Sequence, residues 1–500
     1  MEEALTVLRN GSDIRGVAIA TEEFPATLTP EAMTQIANGI VYWLRKNDEE
    51  KYLAGKLMLG IGQDSRISGD DLKAALVQQL VLQGIQVIDF QLATTPAMFM
   101  STRYPEFDCD AAIMLTASHL PFYYNGVKLF TRSGGAEKED IQVILTHPQV
   151  NENGQVGTVK QAHLLPKYSA DLLEKIRRSI GEKQPLLGWK IVVDAGNGAG
   201  GFFVKILQEL GADTTGSQFL TPDGMFPNHI PNPDNAEAMA SIKEAVLANQ
   251  ADLGIIFDTD VDRAAVVTAS GQALNRNNLI AVLSKIILKE HPGTSIVTNS
   301  PTSDHLRRFI ENAGGKQVRY ISGYRNVINK AIQLNEQGID SQLAIETSGH
   351  AAFKENYFLD DGAYVIAKLL MLLPDLKNQG QTLDTLIQEL QQPAETVEVR
   401  FPLKAVDYHQ LGEKVIEQLG SWKQSGWHID SENEEGIRIR FGEPFGNGWF
   451  LLRMSLHEPL LVLQVENDVA GKLSLILRKL QEFLEQFPEV DQEKLLSKLN

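Results

Sequence analysis

Apolar and polar positions alternate along most of the chain as short apolar runs and amphipathic stretches, the pattern of stacked α/β layers. Residues 56–62 (KLMLGIG) predict a strand. Residues 71–83 predict a helix with Leu72, Ala75, Leu76, Val81 and Leu82 apolar and Gly84 placed to end it. Residues 85–90 (IQVIDF) return as a strand, which completes a βαβ unit. The pattern restarts at WKIVVDAGNGAGG, a strand feeding the helical FFVKILQEL, and ADLGIIFDTD closes that second block near residue 270. A third block runs from a helix over 278–288 through strand SIVT and a helix over 304–312 to strands QVRYI and QLAIE and a helix over 364–373. PDLKNQGQTLDTL reads as a boundary. Beyond it ETVEVRF, GIRIRF, WFLLRMS and LLVLQVEN predict strands, with helices over 408–419 and 470–487, a small antiparallel sheet carrying helices.

The expected fold class is therefore α/β: three similar mixed α/β domains plus a smaller C-terminal α+β domain. The expected boundaries are 1–160, 161–270, 271–385 and 386–500. At 500 residues the chain is too long for one hydrophobic core, which agrees with several domains. A net charge of −18 without a basic patch argues against nucleic acid as a partner. An anionic substrate would need local Arg and Lys to overcome that field. The single cysteine, Cys109, excludes an intramolecular disulfide and suits a reducing compartment; beside a strand it reads as a small buried hydrophobe. The N-terminus lacks the basic-then-apolar order of a signal peptide, and no apolar run is long enough to span a membrane. The expectation is a cytoplasmic protein with no membrane partner, a monomer or small homo-oligomer.

Five stretches carry candidate chemistry. In IMLTASHLPFYYNGVKLF a buried strand ends at Leu115 and a polar loop follows, pointing side chains outward from a sheet edge. Ser118 there fits plain turn chemistry, but His119 and Lys128 supply the proton acceptor and charge that a nucleophile or phosphoryl carrier needs. In IIFDTDVDR, Asp258, Asp260 and Asp262 repel one another unless a cation lies between them. Arg263 and Ala269 at the positions of its Gly and Glu argue against an EF-hand, whereas hard oxygen ligands beside Arg263 suit Mg2+ and a phosphoryl group. VVDAGNGAGG holds GxGxxG at Gly196, Gly198 and Gly201, with Asp213 near a ribose-binding position. A turn that lets a helix pack closely on its strand explains it equally well. AIETSGHAAF places Glu346, Ser348 and His350 after a strand, as sugar-hydroxyl ligands or as a helix cap. FLLRMSLHEP puts Arg453, Ser455 and His457 at a strand end, where they can grip a phosphate.

In order and spacing these stretches resemble the α-D-phosphohexomutase family of phosphoglucomutases, phosphomannomutases and phosphoglucosamine mutases, over nearly the whole chain. DIRG resembles its opening motif, with Arg15 at the active-site mouth; GQDSR and TTPA stand for two further first-domain signatures. TASHLPFYYNGVKLF resembles the phosphoserine loop, DTDVDR the Mg2+ loop, SGYRNVI a substrate loop around Tyr324 and Arg325, ETSGH the sugar loop, and RMSLHEP the phosphate loop.

The resemblance implies four domains around one active-site cleft, and a hexose phosphate substrate (glucose or mannose). A phosphoserine at Ser118 would exchange its phosphoryl group with the sugar through a hexose 1,6-bisphosphate intermediate. It implies Mg2+ held by the phosphoserine, Asp258, Asp260 and Asp262. Lys128 and Arg263 would stabilise the transferring group, and Arg15, His119 and His350 would serve proton transfer or phosphate contact. Glu346 and Ser348 would bind sugar hydroxyls, and Arg453, Ser455 and His457 the non-reacting phosphate.

Three motifs depart from the family pattern. Leu120 stands for Asn, Thr259 for Gly, and Ser455-Leu456-His457-Glu458-Pro459 for Ser-Gly-Thr-Glu-Pro. The last raises an alternative activity, a hexose 1,6-bisphosphate synthase recharged by another phosphoryl donor, because a weaker grip would release the intermediate. Two rivals differ in class. One is a haloacid-dehalogenase-type phosphatase with Asp258 as nucleophile and Asp360–Asp361 as its metal motif; the other is a sugar-phosphate-binding regulator.

Overall fold

Every side chain of Ala111–Leu115 is buried, as in a strand covered on both faces. In a computed structural model describing residues 5–150, 154–456 and 458–499, that strand lies near the middle of the first sheet. The chain divides into two compact units, one of residues up to Leu283 with Ser348–Leu386, the other of Ser284–Thr347 with Ile387 onward.

In the first unit the leading sheet orders its strands Arg9–Asn10, Asp13–Val17, Tyr124–Thr131, Ala111–Leu115, Met58–Gln63, Gln86–Leu92 and Val159–Gln161. Met58–Gln63 runs parallel to Gln86–Leu92 and to Ala111–Leu115, whereas Tyr124–Thr131 is antiparallel to Ala111–Leu115 and Asp13–Val17. The βαβ unit is as the pattern predicts, its helix spanning Gly69–Leu82 with Gly84 in the left-handed region. Register sets Lys128 opposite Met114, and Arg15 opposite Gly126. Only glycine fits at 126: a Cβ there would lie 2.4 Å from the Ile14 carbonyl and 2.7 Å from that of Thr116.

The second sheet of this unit orders Ala273–Leu274, Ala264–Thr268, Leu253–Phe257 and Ile191–Asp194. Leu253–Phe257 and Ala264–Thr268 pair antiparallel, so residues 258–263 form the tight connection between two fully buried strands. A hairpin of Ala351–Phe353 and Leu359–Asp360 follows, then the helix Gly362–Asn378 capped by Asp361.

The second unit holds a parallel arrangement with Ser295–Asn299 between Lys316–Tyr320 and Ser341–Ile345. Its other sheet is antiparallel, Glu395–Pro402, Leu460–Asn467, Gly448–Met454, Ile437–Phe441 and Trp427–Ile429, and carries helices Tyr408–Ser421 and Leu473–Leu484.

The sequence boundary PDLKNQGQTLDTL is not a plain linker. The helix predicted over 364–373 runs through Pro374 to Asn378, and Leu383–Leu386 forms another short helix. Its apolar face persists past the proline, with Leu369, Leu370, Leu373 and Leu376 all buried, and that packing outweighs the lost hydrogen bond. No helix among the described residues is long and apolar enough to cross a membrane.

Candidate active site

In the first unit, strand ends and tight loops gather most of the residues that the sequence singles out. Ser118 follows the end of Ala111–Leu115 and takes a left-handed backbone, φ 51°, uncommon for a residue with a Cβ. The polar loop does not point it to solvent. Ser118 is 2% exposed, because the loop folds back over Arg66, whose guanidinium takes the carbonyls of Ser118 and Leu120. Its hydroxyl donates to Asp258 Oδ2 at 2.9 Å and accepts from Arg263 Nη2 at 3.0 Å. Arg263 also donates from Nε to Asp258 Oδ2 at 3.1 Å and from Nη1 to Asn232 Oδ1 at 3.2 Å.

Carboxylate oxygens of Asp258, Asp260 and Asp262 lie within 4.8 Å of one another, all three side chains fully buried. Asp260 Oδ1 and Asp262 Oδ1 are buried and lack hydrogen-bond partners among the described residues. An all-oxygen set with orphaned carboxylate atoms fits a hard divalent cation such as Mg2+. The Lys128 ammonium is salt-bridged to Asp262 and stands 3.5 Å from Asp260 Oδ2. Thr95, from TTPA, donates its hydroxyl to Asp260 Oδ2 and its backbone N–H to the Asp260 carbonyl at 2.9 Å, which locks the middle carboxylate.

Charge is balanced unevenly across this cluster. Burial, then the neighbouring Asp262, pushes Asp258 well above the usual carboxylate range. Burial pushes Asp262 the same way, but Lys128, His350 and Arg263 together hold it well below that range. His350 bonds through Nδ1 to Asp360 Oδ2 at 2.5 Å and stands 3.9 Å from Asp262 Oδ1. Burial opposes its protonation, yet Asp360 and Asp262 raise its pKa to about 9. His119 goes the other way: burial, then the charges of Arg263, Arg15 and His350, drive it well below its ordinary value. Arg15 is anchored by Asp13 at 2.9 Å and donates to the Ala117 carbonyl at 3.3 Å. Ser348 Oγ is buried, with no partner among the described residues.

The GxGxxG glycines serve packing around this loop. A Cβ on Gly198 would lie 2.6 Å from the Thr259 carbonyl oxygen, and one on Gly201 2.5 Å from that of Leu220. Ala199 donates its N–H to the Thr259 carbonyl at 2.8 Å. The metal-loop backbone fills the space close to the glycine-rich turn that a dinucleotide would need.

The second unit brings together another set. Gly323, φ 114°, precedes the helix Tyr324–Glu336, whose first residues are Tyr324 and Arg325, and its N–H donates to Glu346 Oε1 at 2.7 Å. Glu435 was not singled out in the sequence, yet it ties this region together. It accepts from the hydroxyls of Ser300 and Ser322 and from the Ser322 N–H, and its other oxygen stands 3.7 Å from Arg453 Nη1. Ser455 Oγ accepts from the Glu458 N–H at 3.3 Å. Leu456 is 45% exposed, and its Cδ1 lies 3.3 Å from where a Gly323 Cβ would be. His457 lies outside the described residues. Arg66, Thr95 and Glu435 had no assigned role at this site in the sequence, and Asp360 had one only in the phosphatase alternative; for Arg66 and Thr95 the signal was there, in GQDSR and TTPA.

Comparison with known proteins gives a consistent answer. Residues 6–153, 166–271 and 275–394 match the models for phosphoglucomutase/phosphomannomutase alpha/beta/alpha domains I, II and III. The chain is 31% identical over 469 residues to a phosphomannomutase/phosphoglucomutase of Pseudomonas aeruginosa, covering 93% of this chain and 92% of that protein. It is 29% identical over 482 residues to a phosphoglucomutase of Neisseria gonorrhoeae, covering 96% of each. Among solved structures, a phosphoglucomutase/phosphomannomutase family protein of Burkholderia thailandensis superposes with a TM-score of 0.79 at 25% identity, over 97% of this chain and 98% of that one.

Proposed function

Because the chain belongs to the phosphoglucomutase/phosphomannomutase family and is a hexose phosphate mutase, we propose that it isomerises glucose and mannose phosphates through a phosphoryl group carried on Ser118. The observation that carries the reading is the buried Ser118 hydroxyl held between Asp258 Oδ2 and Arg263 Nη2. A serine in that place is shielded from water and set beside the charges a phosphoryl transfer needs.

The family uses Mg2+, and Asp258, Asp260 and Asp262 with the phosphoserine would hold it. When bound, the ion neutralises charge on the phosphoryl oxygens. The chain's own residues do the rest. Arg263 and Lys128 stabilise charge on the transferring group, and Arg15, His119 and His350 serve proton transfer and phosphate contact. In the second unit Glu346 accepts sugar hydroxyls, Tyr324 and Arg325 contact substrate, and Arg453, Ser455 and His457 hold the non-reacting phosphate; in the first unit Ser348 binds a sugar hydroxyl. The intermediate in this reading is a hexose 1,6-bisphosphate, and the enzyme works in the cytoplasm, in keeping with one buried thiol at Cys109.

Mutases among the curated relatives favour isomerisation over release of the bisphosphate as product, whatever Leu456 does to the phosphate loop. The phosphatase alternative loses its footing, because Asp360 is engaged by His350 and Asp258 by Arg263 and Ser118. The substrate assignment is tested by comparing kcat/KM on glucose, mannose and glucosamine 1-phosphates. Glucose and mannose 1-phosphates are expected to lead; predominant turnover of glucosamine 1-phosphate overturns the assignment.

A further inference from the structure

The Ser118 loop closes around the side chain of Arg66. Arg66 is fully buried, and its guanidinium meets four carbonyls of the loop. Nη2 donates to Ser118 at 2.5 Å and Leu120 at 2.6 Å, and Nη1 to Pro121 at 2.7 Å and Tyr124 at 2.9 Å. Four converging carbonyls repel one another unless a donor lies between them. Only a planar fork with five N–H groups can serve them together; an ammonium has three.

The fork is itself fixed. Its Nε stands 3.2 Å from Asp64 Oδ2, and its own backbone N–H donates to Asp64 Oδ1 at 2.9 Å. Asp64 Oδ2 also accepts the Thr116 hydroxyl at 2.7 Å, and Thr116 Oγ1 in turn accepts the Ser118 N–H at 2.9 Å. Ser118 is thus held at both ends, its N–H through Thr116 and Asp64 and its carbonyl through Arg66. Those two anchors hold it in the left-handed backbone that a serine adopts only under constraint.

Arg66 also packs against the segment that holds Gly224 and Phe226. Its guanidinium carbon lies 5.2 Å from the Phe226 ring centre. A Cβ on Gly224 would lie 2.4 Å from the Ser65 carbonyl and 2.8 Å from Arg66 Cα, so the two segments pack backbone to backbone. The brace therefore sits between the serine loop and the segment that holds Gly224 and Phe226. The brace uses the carbonyl of residue 120, so it makes no demand on the Leu120 side chain, where the family resemblance leads to the expectation of Asn.

We infer that Arg66, seated by Asp64, is a positioning residue that sets the Ser118 backbone and so aims the serine hydroxyl between Asp258 and Arg263. This rests on the reading of Ser118 as phosphoryl carrier. Loss of the brace lets the serine relax from its constrained backbone and turn its hydroxyl off line, while the groups proposed to bind the sugar are untouched. The signature is a fall in kcat with KM preserved.

The test compares Arg66→Ala, Arg66→Lys and Ser118→Ala in glucose 1-phosphate turnover, with circular dichroism to establish folding. For folded Arg66→Ala, kcat is expected to fall about 100-fold or more with KM within about threefold. Guanidinium chloride at low millimolar concentration, refilling the fork's site, is expected to restore activity about tenfold in Arg66→Ala and not at all in Ser118→Ala. If the alanine variant does not fold, Arg66→Lys decides, since it keeps the charge and loses the fork: kcat is expected to drop about tenfold or more at unchanged KM. A folded Arg66→Ala with near-normal kcat, a loss without guanidinium rescue, or a KM rising in step with the loss of kcat overturns the inference; so does near-normal kcat in Arg66→Lys where the alanine variant fails to fold. Near-normal turnover in Ser118→Ala overturns the carrier reading instead, whatever Arg66 does.

Discussion

Lys128 shows how a single residue can be read two ways. By register it sits opposite Met114 on the strand after the serine loop, and it reaches both Asp260 and Asp262. It neutralises part of the acidic cluster but leaves Asp260 Oδ1 and Asp262 Oδ1 without hydrogen-bond partners among the described residues. Asp260→Asn is therefore expected to raise the Mg2+ concentration for half-maximal activity about tenfold or more, with partial recovery at high Mg2+; one ligand charge is lost while Asp258, Asp262 and the proposed phosphoserine remain. Titration of activity with Mg2+ checks this, and an unchanged midpoint contradicts a ligand role.

His350 has a consequence for stability. Burial lowers its proton affinity, but Asp360 and Asp262 raise its pKa from 6.5 to about 9. The folded form binds the proton more tightly than the unfolded one. The resulting stability is present in full below about pH 6.5 and is lost as pH rises through about 9. With chelator present, urea unfolding is expected to show a declining midpoint across that window, and His350→Gln to abolish the decline. A wild-type midpoint that is flat there contradicts the coupling.

At the scale of elements, the apolar pattern was legible wherever burial is one-sided or complete. The strand predicted at 460–467 is observed over Leu460–Asn467, and the helix predicted over 304–312 over Asp304–Asn312. Legibility failed where distant contacts decide. Nothing local says that the apolar face of Gly362–Asn378 carries the helix past Pro374. Nothing in TASHLP says that Arg66, remote in sequence, draws the loop shut and buries Ser118. Glu435 is one acid among several in ENEEG, and only its meeting with Ser300, Ser322 and Arg453 separates it.

GxGxxG was equally readable as a nucleotide turn, since the spacing is the same; what packs on the glycines decides. Gly198→Ala would press a Cβ against Thr259 backbone that cannot rotate away. It is expected to cost about 1–3 kcal/mol and to weaken Mg2+ dependence of activity by displacing the loop that carries Asp258 and Asp260. Urea unfolding and Mg2+ titration of the same variant measure both effects. A neutral substitution would contradict the close-packing role.

At the scale of the molecule, a chain of net charge −18 needs local cations to hold anionic sugar phosphates, and the proposed site residues include them. Arg15, Lys128 and Arg263 stand in the first unit with Ser118, and Arg325 and Arg453 in the second. Family membership settles that the chain is a hexose phosphate mutase; the identity of the carrier is the claim on which the rest of the account turns. It is tested most directly by locating the covalent phosphate. After incubation with glucose 1,6-bisphosphate and Mg2+, peptide mass spectrometry is expected to find one phosphate on Ser118, absent from Ser118→Ala together with turnover. Phosphate on Asp258, or a Ser118→Ala enzyme that turns over like the wild type, would contradict it.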